Sequence, residues 1–427
     1  MIDYIFKNVT LVPMIGDDVI YNACVGIDGS HIAFVRATDQ PGTQAQRIID
    51  GTGKILMPGL YNCHAHSPMS LMRGYAGEKN LQDWLFNYIF PAEAKFTPDM
   101  VYAGAMLSIA EMISSGTVSF TDMYFYIPFI AQAVYETGMK ANISNAMTAL
   151  NDVDYHNSRC YQESLELLKN FHGKGDNRVK LDASIHAEYT SGPSAWRDVV
   201  EFAQKHDLRM HVHLSETKSE HEECKERHGK TPTAVFADNG VFDTPTTAAH
   251  CVWIEDEDCD ILFRHRVNVA HNPVSNLKLA SGIAPVTKMR AKGVEVVVGT
   301  DGVSSNNSHD LFEEIKMTCL LQKYLTNDPT AMPALDALKM ATVGGASSQG
   351  RNSGAILPGR EADLILIDTD NARQQPINDP IANLAYNTTG RDVCLTMANG
   401  KILYENGEFL TLDIERALRL IKEAKVY

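Results

Sequence analysis

The residues best able to do chemistry are histidines and carboxylates that follow apolar, strand-like runs. His64 and His66 form an H-x-H pair directly after ILMPGLYNC, and His211 and His213 form a second pair in HVHLSE. Alternate residues of a strand point to the same side, so both imidazoles of a pair can face one ion. Asp301 closes the run VVVGTD. Three imidazoles and one carboxylate leave room for a water on zinc or a similar divalent ion, as an open catalytic site requires.

A lone H-x-H pair is more often incidental than a metal site. Whether these pairs bind a metal is therefore judged from the other ionisable residues that accompany them. His250 ends the strand-like TTAAHC, where it is expected either as a further ligand or as a hydrogen-bond partner of the metal's water. His271 in VAHNP suits a structural role and a site role equally. Glu216 follows His213 by three residues, in a position where a carboxyl group can shuttle a proton.

These residues stand at the ends of predicted strands that alternate with helical stretches. The strand-like runs are VSFTD (118–122), KLDASIHA (180–187), RMHVHL (209–214), TTAAHCV (246–252), VNVAHNP (267–273) and VEVVVGTDG (294–302). Repeated β-then-α units predict a parallel sheet, and this many units predict a closed (β/α)8 barrel, whose carboxyl strand ends converge on one face. Polar residues acting only as turn formers would instead be Asn, Ser and Gly. A helix is predicted from Thr97, its N-cap, to a stop at Gly116.

Both ends of the chain predict β structure of another kind. Residues 1–57 alternate polar and apolar residues around Asp28-Gly29 and read as an antiparallel module, while 362–370 and 393–409 form a later β segment with a hairpin signal at Asn399-Gly400. The two segments are expected to make one module. The predicted domains are therefore 1–57 and 354–427, the latter with a terminal helix, around a barrel over 58–353.

Composition excludes several classes of protein. The 427 residues carry 38 basic and 53 acidic side chains, a net charge of −15, so the surface would repel nucleic acid and anionic membranes. The eight cysteines form no C-x-x-C pair, which fits reduced, mostly buried thiols. Neither a signal peptide nor an apolar run of about 18 residues is present, so a cytoplasmic protein with a small-molecule substrate is expected.

Five segments together resemble the amidohydrolase superfamily, and within it the methylthioadenosine/adenosylhomocysteine deaminases and their chlorohydrolase relatives. They are MPGLYNCHAH (57–66), HVHLSET (211–217), HNPVSNLKLASG (271–282), GTDGVSSNN (299–307) and LPGREADLILID (357–368). The resemblance implies an α/β fold, a (β/α)8 TIM barrel with a small β-sandwich formed by both termini. It also implies one divalent metal ion, zinc or alternatively Fe²⁺, held by His64, His66, His213 and Asp301. Lys180 begins its strand, so a bridging carboxylated lysine is not expected.

The same resemblance implies a reaction and a pocket. Glu216 would protonate N1 of a purine so that water activated by the metal attacks C6, and His250 and Asp301 would accept the water's proton and pass one to the departing ammonia. Trp84 would lie against the purine and Glu93 would accept hydrogen bonds from ribose hydroxyls. His186 would lie near the sugar and base, and Ser305 would line the pocket.

Three alternatives stay open at this point. Family members that handle adenosylhomocysteine resemble one another in two arginines after the third strand, whereas this chain has only Arg159 between residues 145 and 165. A surface role for Arg159 is equally compatible with the sequence.

The substrate could be another aminated or chlorinated heterocycle, guanine-like or triazine. A non-catalytic scaffold would lack a ligand or the proton shuttle, and none is missing. A homo-oligomer is possible.

Overall fold

A computed structural model describes residues 1–37, 43–148 and 154–424. The predicted domain ranges also contain residues 38–42, 149–153 and 425–427, which lie outside the described residues. In the described part, an α/β arrangement places parallel strands at the centre, helices around them, and a mixed sheet built from both ends of the chain.

The strands and helices have the following bounds. The strands are β1 (Ile2–Leu11), β2 (Ile20–Asp28), β3 (His31–Arg36), β4 (Ala45–Asp50), β5 (Lys54–Pro58), β6 (Leu60–Ala65), β7 (Thr117–Met123), β8 (Lys140–Ser144), β9 (Val179–Leu181), β10 (Ala183–Ile185), β11 (Met210–Leu214), β12 (Thr246–His250), β13 (Asn268–His271), β14 (Glu295–Val298), β15 (Leu364–Asp368), β16 (Val393–Ala398), β17 (Lys401–Glu405) and β18 (Glu408–Phe409). The helices are α1 (Leu81–Trp84), α2 (Phe90–Glu93), α3 (Pro98–Ser114), α4 (Ile127–Thr137), α5 (Arg159–Asn170), α6 (Lys174–Asn177), α7 (Pro193–Lys205), α8 (Lys218–His228), α9 (Pro232–Asp238), α10 (Asp256–Arg264), α11 (Pro273–Lys278), α12 (Val286–Ala291), α13 (Leu311–Thr326), α14 (Ala334–Lys339), α15 (Gly345–Ser348), α16 (Pro380–Tyr386) and α17 (Ile414–Glu423).

The parallel strands follow the order of a (β/α)8 barrel. They form two hydrogen-bonded sheets, β6-β7-β8-β9 and β10-β11-β12-β13-β14. Strand β9 pairs with β8 and strand β10 pairs with β11, so a single segment, interrupted at Asp182, bridges the two sheets. At the other edge the Asp301 N–H donates to the His64 carbonyl, which joins the exit of β14 to β6. The carboxyl ends of these strands, called the mouth below, therefore face one another.

The helices around the strands begin and end where local chemistry predicts. Thr97 caps α3 by accepting from the Met100 N–H, and the helix ends at Ser114, just before Gly116 takes a φ of +91° into β7. The prediction of this helix is confirmed. The cysteines are free thiols, and all are buried except the partly exposed Cys394. Among the described residues, no helix is both long enough and apolar enough to cross a membrane.

Both ends of the chain join in one nine-stranded sheet of order β18-β17-β16-β15-β5-β1-β2-β3, with β4 also paired to β1. Asn399 and Gly400 have φ of 48° and 71°, the left-handed pair that a type I′ hairpin requires. The first hairpin turns one residue later than predicted, because Asp28 still pairs with His31. This sheet has an apolar core of its own, formed among residues such as Phe6, Val25, Leu364 and Met397.

The prediction that residues 1–57 form an antiparallel module is wrong for two of its strands. Strand β1 pairs in parallel with both β4 and β5, and it is antiparallel only to β2. Hairpin signals reveal pairing between neighbours in sequence, whereas a parallel partner reached by a long connection leaves no local trace.

At the amino ends of the barrel strands, called the floor below, a buried ion network ties the barrel to the terminal sheet. Lys140 is 1% exposed and donates to Asp363 at 2.6 Å and to Glu361 at 2.5 Å. The Tyr61 hydroxyl also donates to Asp363, at 2.6 Å. Because Tyr61 and Lys140 belong to barrel strands and Asp363 precedes β15, these bonds fix the two parts of the chain to each other.

Candidate active site

The mouth of the barrel gathers three imidazoles from two strands, β6 and β11, and a carboxylate from the end of a third, β14. His66 Nε2 lies 3.2 Å from Asp301 Oδ1, and His64 Nε2 lies 3.4 Å from the same oxygen. His213 Nε2 lies 3.4 Å from His66 Nε2. Asp301 lies three residues beyond β14, where its backbone takes a left-handed φ of +63°. The four residues predicted as metal ligands are therefore close neighbours.

Hydrogen bonds behind these imidazoles aim their Nε2 atoms at the common centre. His66 Nδ1 donates to the Met123 carbonyl at 2.6 Å, and His213 Nδ1 donates to the His186 carbonyl at 2.8 Å. A proton held on Nδ1 leaves the lone pair on Nε2, which is the usual way in which proteins orient a histidine toward a metal. His64 Nδ1 lies 2.9 Å from His211 Nε2, so His211 supports His64 from behind.

The donor set fits one divalent metal ion. His64 Nε2 is buried without a hydrogen-bond partner among the described residues, although it faces Asp301 and the other imidazoles. Burial alone would raise the pKa of Asp301, but hydrogen bonds and charge from His64 and His66 hold it well below its ordinary value. Neutral imidazoles around an ionised carboxylate are the ligands that zinc and ferrous iron take in open sites.

Two further ionisable groups border this centre. His250, at a left-handed φ of +75°, donates through Nδ1 to Asn276 Oδ1 at 2.8 Å, which leaves Nε2 facing the site. Its Nε2 lies 3.8 Å from Glu216 Oε2, and the other oxygen of Glu216 accepts from Ser281 at 3.4 Å. Burial raises the pKa of Glu216, so this carboxyl group takes up a proton more readily than an exposed glutamate.

A cavity of about 220 Å³ opens over the centre. All of the predicted site residues except His64, which lies beneath, contribute to its wall. Trp84 is 5% exposed and, with Leu81, Leu85 and Phe90 from the same insert, forms an apolar side. Glu93 accepts a hydrogen bond from the Tyr124 hydroxyl at 2.6 Å, and burial raises its pKa to about 7.

The other predicted pocket residues differ in whether their side chains are already bound by other residues. Burial lowers the pKa of His186 to about 3, so its ring stays neutral. The Ser305 hydroxyl reaches the cavity but donates to Asp301 Oδ2 at 2.9 Å, which ties it to the metal centre. Arg159 is exposed at the rim, pairs with Glu163 at 3.4 Å, and stacks on the rings of Phe125 and Tyr126.

The structure also locates the residues that the sequence left ambiguous. His271 is fully buried at the end of β13 and lines no part of the cavity wall. Lys180 lies at the opposite end of the barrel, where Nζ donates to the Gly350 carbonyl at 2.7 Å. The Lys180 ammonium group is therefore engaged at the floor end of the barrel and not at the mouth.

A second group of possible metal donors, Glu188, Cys224 and His228, has a simpler explanation. Glu188 is already paired through one oxygen with Arg227 at 2.5 Å and through the other with His228 at 2.8 Å. Both oxygens of the carboxylate are therefore already hydrogen-bonded to side chains of α8, and these bonds fasten the segment after His186 to that helix.

Several residues that shape the site could not be predicted by looking for polar residues at the ends of strands. Ser275 donates to Asp301 at 2.5 Å, Asn276 orients His250, and Tyr124 holds Glu93. Glu220 lines the cavity and binds the backbone beside Glu216. The one available signal was T-x-x-E at Thr217–Glu220, which is typical of a helix start.

Comparison with known proteins agrees with this geometry. The profile of the amidohydrolase family (Amidohydro_1) matches residues 55–403. A 5′-deoxyadenosine deaminase of Methanothermobacter thermautotrophicus is 42% identical over 398 residues, covering 93% of each chain. A 5-methylthioadenosine/S-adenosylhomocysteine deaminase of Thermoanaerobacter pseudethanolicus is 41% identical and covers 97% of this chain and 96% of its own.

Solved structures share the fold across nearly the whole chain. An adenosine deaminase from Xanthomonas campestris with bound zinc superposes with a TM-score of 0.92 at 28% identity, covering 99% of this chain and 98% of its own. An atrazine chlorohydrolase from Arthrobacter aurescens complexed with zinc has a TM-score of 0.90 at 24% identity, with 99% of both chains covered, and at that identity it speaks for the fold alone. The family and these neighbours imply a TIM barrel. From the profile match and the relatives, we conclude that the chain belongs to the amidohydrolase family.

Proposed function

We propose that this protein is a metal-dependent deaminase that converts an adenine nucleoside, such as 5′-methylthioadenosine, S-adenosylhomocysteine, 5′-deoxyadenosine or adenosine, to its inosine analogue and ammonia. Two observations support it together. Curated relatives more than 40% identical over most of the chain carry the names of such deaminases. The cavity combines an apolar wall at Trp84 with the carboxyl group of Glu93, which suits a flat base and a hydroxylated sugar.

One divalent metal ion, zinc above all and iron(II) as the alternative, would be held by His64, His66, His213 and Asp301. When bound, such an ion acidifies a water molecule so that it is nucleophilic at neutral pH. The zinc named with the adenosine deaminase structure supports this choice. No second metal is required, since the described donors at the mouth surround one centre.

The remaining steps belong to the side chains. Glu216, whose pKa burial raises, would carry a proton to ring nitrogen N1, which makes C6 electrophilic. His250, with Nδ1 fixed by Asn276, would accept the water's proton through Nε2, and Asp301 would share that role. Trp84 would lie against the purine, while Glu93 accepts from the ribose hydroxyls. His186 and Ser305 would complete the pocket, and Arg159, exposed at its rim, would meet the 5′ substituent.

The observation that carries the proposal is the position of Glu216. Its carboxyl group faces His250 Nε2 at 3.8 Å and lines the same cavity as the metal donors His66, His213 and Asp301. A proton carrier and the residues that would hold the metal thus share one cavity. This is the arrangement that hydrolytic removal of a ring amino group needs.

The test is the ultraviolet change from adenine to hypoxanthine absorbance. The zinc-loaded protein is given methylthioadenosine, adenosylhomocysteine, 5′-deoxyadenosine, adenosine and guanine in turn. We expect turnover of one or more adenine nucleosides and its loss in Glu216→Gln, with metal content unchanged. A protein that binds one metal and turns over none of them would contradict the proposal and favour another aminated or chlorinated heterocycle.

Three further expectations belong to the same proposal. The terminal strands are proposed to form a β-sandwich unit over 1–57 and 354–427, supported by their separate apolar core. The enzyme is proposed to act in the cytoplasm. Assembly into a homo-oligomer remains a prediction.

A further inference from the structure

Glu220 lies in the first turn of α8, four residues beyond the proposed proton carrier Glu216. It is 3% exposed, and its two carboxylate oxygens accept from consecutive backbone amides. Oε1 accepts from the Ser215 N–H at 2.8 Å, and Oε2 accepts from the Glu216 N–H at 2.7 Å. Each oxygen is therefore bound to one amide of the turn that carries Glu216.

This turn is strained. Ser215 has a left-handed φ of +46°, a conformation that residues with a Cβ rarely adopt and that persists only when neighbours enforce it. On the carbonyl side, the Ser215 oxygen accepts from the Val252 and Trp253 N–H groups, both at 3.0 Å. Glu220 supplies the restraint on the amide side, so the turn is held from both directions.

The sequence motif alone would predict a different contact. In a capping box, the glutamate three residues after Thr217 would bond the backbone N–H of Thr217 itself. Thr217 does its part, since its hydroxyl accepts from the Glu220 N–H at 3.2 Å. The Glu220 side chain, however, reaches one and two residues further back, to the amides that set the direction of Glu216.

We propose that Glu220 is a positioning residue, which fixes the backbone at Ser215 and Glu216 so that the carboxyl group of Glu216 faces the substrate ring. The inference rests on the proposed function, in which Glu216 carries the proton. Only a carboxylate suits the task, because both of its oxygens accept hydrogen bonds, whereas an amide in the same place offers one acceptor and turns a donor toward the other N–H.

The main test is Glu220→Gln, with Glu222→Gln as the matched control. Glu222 is exposed on the same helix, so the control makes the same chemical change away from the turn. A catalytic group displaced by about 1 Å can lose about 100-fold in rate. We expect kcat of Glu220→Gln to fall by about that factor with KM changed less than about threefold, while Glu222→Gln matches the wild type. An unchanged kcat in Glu220→Gln would overturn the proposal.

A second measurement separates positioning from general damage. If Glu220 acts through Glu216, its replacement should cost little once Glu216 is already Gln, because the two changes remove the same effect. We expect Glu216→Gln and the Glu216→Gln/Glu220→Gln double variant to have the same residual kcat within about a factor of two. A full additional loss in the double variant would show that Glu220 acts elsewhere, and would reject the proposal.

Hydrogen exchange provides a readout that needs no turnover. In Glu220→Gln, the peptide containing the amides of Ser215 and Glu216 should exchange faster, while peptides from the strands opposite keep wild-type rates. Unchanged exchange at this turn would count against the restraint. If the wild type deaminates no nucleoside, the proposed function fails, and this measurement still judges the restraint by itself.

Glu220→Asp covers the case in which Glu220→Gln does not fold. It retains two acceptor oxygens but withdraws them by one carbon–carbon bond, about 1.5 Å. We expect the same pattern with a smaller loss, about tenfold in kcat and little change in KM. Wild-type kcat in a folded Glu220→Asp would refute the positioning role.

Discussion

At the floor of the barrel, buried charges are paired with each other, whereas at the mouth groups of the same kind stand side by side. Lys140 Nζ touches Asp363 and Glu361, and Asp363 accepts in addition from the Tyr61 hydroxyl. Burial alone would raise the pKa of Asp363, yet the charge and hydrogen bond of Lys140 hold it below its ordinary value. Each member of this Lys140 network therefore has a partner within it.

The mouth has a different balance. The rings of His64 and His213 have centroids 4.9 Å apart, and His66 and His213 have centroids 5.4 Å apart. Burial lowers the pKa of His64 to about 3 and that of His213 well below its ordinary value, so these two rings stay neutral. Burial also acts to lower the pKa of His66, but its hydrogen bond with Asp301 raises that pKa to about 9. Ionisable groups kept neutral at such distances cost stability, and a bound divalent ion recovers it. Buried charges that pair with opposite charges thus indicate a structural joint, and several imidazoles that converge on one carboxylate indicate a site.

The largest expected effect is at the mouth. Asp301→Asn removes the only carboxylate among the four metal donors, so we expect kcat to fall by at least about 10⁴-fold, ~5.5 kcal/mol in the barrier. Added zinc should raise the melting temperature of the wild type but not of the variant, because only a ligand bound to the folded state stabilises it. Metal analysis and thermal scans check both parts; a variant that still binds one equivalent of zinc would contradict the assignment.

At the floor, Lys140→Met should unfold the protein more easily without changing its chemistry. Removing the cation leaves Asp363 and Glu361 facing each other without their partner, which costs about 3–5 kcal/mol. Chemical denaturation measures the loss, and the activity of the folded fraction should equal that of the wild type. Lys174→Met, the same change at an exposed position, is the control and should lie within about 0.5 kcal/mol. A Lys140→Met variant that is as stable as the wild type but less active would contradict the purely structural role given to the floor.

Tyr61→Phe tests the structural role of the floor by removing a single oxygen atom. It removes the hydroxyl that donates to the buried carboxylate of Asp363, so we expect a loss of about 1.5–3 kcal/mol and unchanged kcat. Tyr135→Phe, at a side chain 47% exposed, is the matched control. Equal denaturation midpoints for the two variants would mean that the Tyr61 hydroxyl contributes nothing to the joint.

The smallest effect concerns pH. Burial raises the pKa of Glu93 to about 7, so below that pH the carboxyl group is protonated and loses acceptor capacity for ribose hydroxyls. KM for the nucleoside should therefore rise as the pH falls below 7, by up to about tenfold per unit. Steady-state kinetics should be measured between pH 5.5 and 8, which spans about one to two units around the pKa. This limb, the rise in KM at low pH, should appear in the wild type and not in Glu93→Gln. The same limb in both would assign it to another group.

Much of the site could be predicted from the sequence because barrel strands bring their carboxyl ends together. A local pattern places H-x-H at His64 and His66, the HVHLSE run and Asp301 each at the end of a strand. The barrel fold then brings these strand ends together. Glu220, Asn276 and Tyr124 could not be found in this way, since their roles depend on which backbone amide or side chain they reach in three dimensions. Strand β8 was absent from the predicted strands, because KANIS contains a lysine and an asparagine, residues that an apolar pattern does not lead one to expect in a fully buried strand.

The fold was predicted less completely at the ends of the chain. Hairpin signals identified the turn at Asn399-Gly400, yet β1 is parallel to β4 and β5, and neither contact has a local signature. The two terminal segments were predicted to join in one module, and they do pair with each other in a shared sheet. Its attachment to the barrel through Lys140 depends on residues 221 and 223 positions apart, which no local pattern relates.

The shared sheet has a consequence for how the protein is made. Strand β5 has β1 on one side and β15 on the other, and the nearby Tyr61–Asp363 contact joins residues 302 positions apart. On the ribosome, the first strands therefore emerge long before their last partner, and one edge of the growing sheet stays open throughout synthesis of the barrel. Open strand edges invite pairing with other chains. A message truncated before residue 364 would yield a nascent chain with that edge permanently exposed, a substrate for chaperones and proteases rather than a smaller enzyme.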